Sequence, residues 1–137
     1  MPMKNEDIYK AALHLVGELS SPQSASNADY LERSGYLLAM VCRQCEPIEN
    51  LLRAANGQDP VTLPDQLCYL MTVTFPLSAQ LTAAAAFGLA ALLVADENPE
   101  LSGDLHDRFQ KSLSEILAAL PMKPESIIDR YASVWQA

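Results

Sequence analysis

Residues 66–95 read QLCYLMTVTFPLSAQLTAAAAFGLAALLVA, and no charged side chain falls between Asp65 and Asp96. From residue 78 onward the stretch is almost wholly Ala, Leu, Val, Phe and Gly. A helix on the surface of a globular domain carries one apolar stripe and one polar face. This stretch has no polar face. It must be covered on nearly all sides, by other helices, by copies of itself or by lipid, and what covers it decides the fold.

Residues 73–95 are nominally long enough for lipid, since about 20 apolar residues span a bilayer. Pro76, Thr74, Ser78, Gln80 and Thr82 interrupt them, and alanine contributes little transfer free energy. The flank that follows, DENPE at 96–100, is acidic and offers no basic residue to set an orientation. The expected cover is protein, with no membrane partner.

Working outward, the spacing predicts an amphipathic helix from Asn5, its expected N-cap, through Ile8, Ala11, Ala12, Leu15 and Leu19. Gly17 and the Ser20-Ser21-Pro22 cluster should end it. Ser26 and Asp29 have the form of a capping box, opening a helix over about 27–55 with Tyr30, Leu37, Leu38, Val41, Cys45, Ile48 and Leu52 on one side. Pro47 should kink or break it near Glu46, and Asn56-Gly57 should stop it. For residues 58–76 the expectation is a short helix followed by an extended link; CYLMTVTF reads equally well as a short buried strand. The central helix should cover about 77–95. Asn98-Pro99-Glu100 then sets an N-cap, a first-turn proline and an acidic residue in the favoured order. The helix it opens carries Leu101, Leu105, Phe109, Leu113, Ile116, Leu117 and Leu120 on one face, until Pro121 and Pro124 stop it.

The sum is an all-α domain over 1–123, a four- to five-helix bundle around a central Ala-rich buried helix, with a protruding C-terminal segment at 124–137. That segment is apolar. Ile127, Ile128, Tyr131, Val134 and the only tryptophan, Trp135, lie close together beyond the two prolines. Such a set either docks on its own domain or binds a partner as an inter-subunit arm.

The charge of −8 and pI near 4.5 argue against sequence-independent nucleic-acid binding, which needs a basic face. The nine Lys and Arg form no run, and nothing suggests sequence-specific recognition. Three cysteines make an odd count, which favours a reduced, intracellular history over a disulfide framework. The start, MPMKNEDIYK, turns acidic at once and lacks the basic-then-apolar order of a signal peptide.

Chemistry-bearing residues are sparse. Cys42-Arg-Gln-Cys45 is a CxxC inside a predicted helix, without the helix N-terminus that activates a redox thiol. Cys68 with His14 or His106 would have to complete a zinc site, at a spacing that matches no standard module. Packing cysteines are the expected reading, with a zinc or redox role the distant alternative. No GxSxG, HExxH or P-loop occurs, and Asp96, Glu97 and Glu100 are explained as a helix start. We expect no enzyme, no cofactor and no metal.

Taken together, NEDIYKAALHLVGE, ADYLERSGYLLAMVCRQCEPIENLL and FPLSAQLTAAAAFGLAALLVADENPELSGDLHDRFQKSLSEIL resemble the small helical head–tail connector proteins of tailed bacteriophages and prophages. The positions that carry the resemblance are Ile8, Tyr9, Ala12 and Leu13; Asp29, Tyr30 and Arg33; residues 88–91; and residues 96–101. SIIDRYA at 126–132 is similar to the extended C-terminal segment of such proteins, and residues 58–74 lie outside the resemblance. The resemblance implies an all-α subunit of a ring between portal and tail, with copies of itself and the portal and tail proteins as partners. It implies bacterial cytoplasm before assembly and the virion neck after it. The alternative from the residues alone is a cytosolic helical adaptor or regulator that binds a partner helix or peptide in an apolar groove.

Overall fold

The structure is a computed structural model that describes residues 2–17 and 25–120. Among these, four α-helices follow one another: α1 (Asn5–Val16), α2 (Ala25–Ala55), α3 (Thr82–Leu93), preceded by a 3-10 turn at Ala79–Leu81, and α4 (Pro99–Ala118). The all-α class and the bundle are as expected. The C-terminal segment at 124–137 lies outside the described residues.

α3 is the axis. It packs against all three other helices, most extensively against α4 and then α1 and α2. Ala84, Ala85, Ala86, Gly88, Leu89, Ala90, Ala91 and Leu93 are all buried. Small side chains leave little thickness, so neighbours reach its backbone. A Cβ added at Gly88 would stand 3.1 Å from both the Phe109 ring of α4 and Val41 of α2. The cover of the Ala-rich helix is therefore the rest of the chain. Among the described residues, no helix is long and apolar enough to cross a membrane.

The end of α3 is tied down by polar side chains. Arg33 donates to the Leu93 carbonyl at 3.1 Å, and Ser102 Oγ donates to the Ala91 carbonyl at 2.7 Å, satisfying acceptors that a helix C-terminus leaves open. Arg33 is itself held by Asp29 at 3.1 Å and lies over the Tyr30 ring. The Tyr30 hydroxyl crosses to Glu97 in the α3–α4 turn. As expected, Asn98 caps α4, its Oδ1 accepting from Leu101 N at 3.1 Å with Pro99 behind it.

Several expectations need correction. The N-cap of α1 is Lys4, whose N–H donates to the Asp7 carboxylate at 2.9 Å; Asn5 is already helical and buried. The buried face of α1 is Ile8, Tyr9, Ala12 and Leu13, while Ala11 is exposed, because the larger Tyr9 and Leu13 pair outweighs Ala11 in what must be hidden. As expected, α1 ends at Gly17; Leu19 lies outside the described residues. α2 contains Ser26 rather than starting after it, and Asp29 pairs with Arg33; the Ser26 side of the expected capping box lies outside the described side chains. Of the kink or break expected at Pro47, the break does not occur: α2 continues to Ala55, where the sequence placed its end. The proline ring is on the exposed side of the helix.

The largest difference is at 58–76. No helix forms there. The segment runs back along α2 and then pairs with the N-terminal residues, and its extended part yields one isolated antiparallel bridge, Lys4 to Thr74, rather than a strand.

Candidate functional site

What holds that segment is a row of polar side chains on α2. Arg43, Glu46, Asn50 and Arg53 recur at spacings of three and four and so share one helix face. Arg53 donates to the Asp59 carbonyl at 3.4 Å. Asn50 takes both backbone groups of Val61, accepting from its N–H at 2.8 Å and donating to its carbonyl at 3.3 Å. Glu46 accepts from Leu63 N at 3.4 Å, and Arg43 donates to the Gln66 carbonyl at 3.0 Å. Ascending the chain from 59 to 66 thus descends α2 from 53 to 43.

The path continues to Gly35, whose carbonyl accepts from Tyr69 N at 3.0 Å. A Cβ at position 35 would stand 2.5 Å from the Tyr69 carbonyl oxygen and 2.6 Å from Cys68 Sγ, so only glycine permits this approach. Further on, the Met71 and Val73 carbonyls accept from the first two N–H groups of α1, Glu6 and Asn5, each at 2.9 Å. Those are donors that no intrahelical carbonyl can satisfy. Asn5 Nδ2 adds a bond to the Leu70 carbonyl at 2.9 Å, and Phe75 N donates to the Met3 carbonyl at 2.7 Å. One irregular segment therefore clamps α1 to α2.

Its side chains divide. Leu63, Tyr69, Phe75 and Leu77 enter the core, whereas Leu67 is 78% and Leu70 67% exposed, and Val73 is half-exposed. On α2, which the segment follows, Leu31, Tyr36 and Met40 are also at least half-exposed. Leu67, Leu70 and Val73, spaced every three residues on this one segment, make a short apolar strip at the surface, whereas Leu31 and Met40 fall on opposite sides of α2. Isolated exposed apolar residues are ordinary, but three so close together on one segment are a candidate contact surface.

Behind the strip is a cavity of about 240 Å³, lined by Asn5, Pro64, Cys68, Tyr69, Leu70 and Thr74 among others. Asn5 Oδ1 and the Tyr69 hydroxyl are buried and have no hydrogen-bond partner among the described residues. A larger groove of about 450 Å³ opens at the opposite end of α2, where the last turn of α2, the first turn of α3 and the last two turns of α4 meet.

Cys42 and Cys45 are fully buried on α2, as the packing reading expects. Burial pushes both thiols up to about 12, and Cys45 adds to the shift at Cys42. Such thiols stay protonated at neutral pH and are inert. Cys68 is exposed and stands apart from them on the irregular segment. His14 and His106 are both exposed, and His106 lies beside the Phe109 ring. Among the described residues no group of three or more His, Cys, Asp or Glu is placed to hold a metal ion. Ile127, Ile128, Tyr131, Val134 and Trp135, the partner-binding residues expected from the sequence, lie outside the described residues. The strip was the site that periodicity missed. Its signal was the run of apolar residues at 67–73 beside two prolines, too irregular for either a helix or a strand pattern.

No protein-family model matches this chain, and neither does any curated protein or solved structure.

Proposed function

We propose that this chain is a non-catalytic structural subunit that joins copies of itself into a ring, in the manner of the phage head–tail connectors its segments resemble. Portal and tail proteins are then its flanking partners, the bacterial cytoplasm its place before assembly and the virion neck its place after it. The observation that supports this reading is the exposed apolar strip of Leu67, Leu70 and Val73 on the segment clamped to α1 and α2. A ring needs two different complementary faces per subunit, so that each copy offers one and receives the other. The strip supplies one. The net charge of −8 suits a channel wall that repels DNA and lets it pass.

Two measurements test the proposal together. Portal and tail genes should flank the gene for this chain, and negative-stain microscopy of the chain mixed with the neighbouring portal protein should show rings. A gene neighbourhood of metabolic enzymes, or one-to-one capture of a single partner helix by the strip, would replace the connector with the adaptor.

A further inference from the structure

The cavity behind the strip holds two buried polar groups whose hydrogen-bonding needs the surrounding side chains do not meet. We propose that this cavity is a binding site for a small neutral molecule that carries an N–H donor and a carbonyl on an apolar frame, an amide in the simplest case. The inference stands independently of the ring reading.

The two polar groups set what the ligand must offer. Asn5 and Tyr69 both line the cavity, and they are only 1% and 5% exposed. Asn5 gives its backbone N–H to the Val73 carbonyl and its Nδ2 to the Leu70 carbonyl, each at 2.9 Å. A carbonyl only accepts, so the side-chain amide is fixed with its nitrogen toward Leu70 and Oδ1 is the group left over. Oδ1 accepts and never donates, so the ligand brings it a donor. The Tyr69 hydroxyl also lacks a partner among the described residues, and it can donate to a carbonyl. Tyr69 is anchored in turn by its own N–H, which reaches the Gly35 carbonyl at 3.0 Å. Buried polar groups are nearly always paired, and an unpaired one costs its full desolvation. Two of them in one cavity, on different elements of the clamp, form a preset pair of hydrogen-bonding points.

The rest of the wall sets charge and size. Pro64, Pro76, Leu70 and Val73 give it apolar faces, and no Lys, Arg, Asp or Glu is among the described residues that line it. An ion placed there would lose its hydration with no counter-charge to replace it, so the site favours a neutral molecule. The volume of about 240 Å³ lies below the roughly 300–1,000 Å³ of sites for drug-sized ligands, which limits the ligand to about one small ring. Entry is from the strip side. Leu70 and Val73 line the cavity and are themselves exposed, and exposed side chains change rotamer within nanoseconds. The solvent-side wall therefore opens without disturbing the core.

Benzamide, acetophenone and benzoate have nearly the same shape and test these requirements one at a time. Benzamide carries both groups, acetophenone lacks the N–H, and benzoate is charged. Titrated into the full chain, benzamide should give saturable amide NMR shifts centred on Asn5, Tyr69 and Leu70, and the other two should bind at least tenfold more weakly. Tyr69→Phe removes only a hydroxyl that has no partner among the described residues, so the fold is retained while benzamide affinity should fall at least tenfold. Cys68 lines the cavity and is the only exposed cysteine of the three, so benzamide should also slow its modification by iodoacetamide. Failure of benzamide to saturate would overturn the proposal and assign the two polar groups to water. So would equal binding of the three probes, or a benzamide affinity unchanged by Tyr69→Phe.

Discussion

Ser78 gives Glu49 two hydrogen bonds at once, its N–H reaching Oε1 and its hydroxyl reaching Oε2, each at 2.7 Å. Glu49 is fully buried in α2, and Arg53 Nε completes its shell at 2.8 Å. The pair fastens the junction where the irregular segment ends and the 3-10 turn into α3 begins. Glu49→Ala leaves the part-buried Ser78 N–H, its hydroxyl and the Arg53 Nε–H without their acceptor. The expected loss in urea unfolding is about 3–5 kcal/mol. Ser78→Ala removes one bond to a charged group and should cost about 1–3 kcal/mol. If Glu49→Ala were as stable as the parent, the junction would have to be held by packing alone.

Gly35→Ala should displace the segment from α2, because the added methyl meets the backbone carbonyl of Tyr69 as well as the more adaptable Cys68 side chain. Overpacking of this kind costs about 1–3 kcal/mol. The local reading is amide exchange. Tyr69 N–H, which donates to the Gly35 carbonyl, should lose protection, while amides in α3 keep theirs. Unchanged protection at Tyr69 would show that α2 can move aside without disturbing the clamp.

Which parts of the fold were readable follows from where the controlling contacts lie. α3 and α4 were legible because their own composition decides them: a charge-free Ala-rich run must be buried, and Asn98-Pro99 is a local helix start. Residues 58–78 were not, because their path is set by Arg43, Glu46, Asn50 and Arg53, which in sequence look like any solvent-facing helix side. Periodicity also equates apolar with buried. Leu67 and Leu70 violate that equation, so a helix or strand drawn to bury them had to be wrong. The same violation is what makes them a candidate site.

The buried thiols set a pH window. Cys42 and Cys45 rise from the ordinary thiol value of 9.0 to about 12 on burial, and burial also raises Tyr9 and Tyr69. A raised acid favours its protonated form in the folded state, while the unfolded chain ionises earlier. The stabilisation is therefore complete below pH 9 and is lost as pH climbs toward 12. The urea midpoint should fall across that window, and a Cys42→Ala, Cys45→Ala double variant should fall less steeply, retaining the tyrosine part. At neutral pH a thiol reagent should modify Cys68 in the folded chain and all three cysteines after denaturation. Rapid modification of Cys42 or Cys45 in the folded state would contradict their burial.

The exposed strip makes the sharpest separation between a structural and an interfacial role. Leu67→Asp and Leu70→Asp change side chains that already face water, so the stability of the isolated subunit should move by no more than about 0.5 kcal/mol. In an assembly each leucine would be buried, contributing about 1.5–3 kcal/mol to association. Each substitution should then weaken assembly roughly tenfold or more, a factor of ten corresponding to about 1.4 kcal/mol. The measurements are urea unfolding for the subunit and sedimentation velocity for the assembly, alone and with the neighbouring portal protein. The opposite pattern, a subunit that loses stability while its association is untouched, would assign these leucines to the clamp on α1 and α2 and leave the strip without a partner.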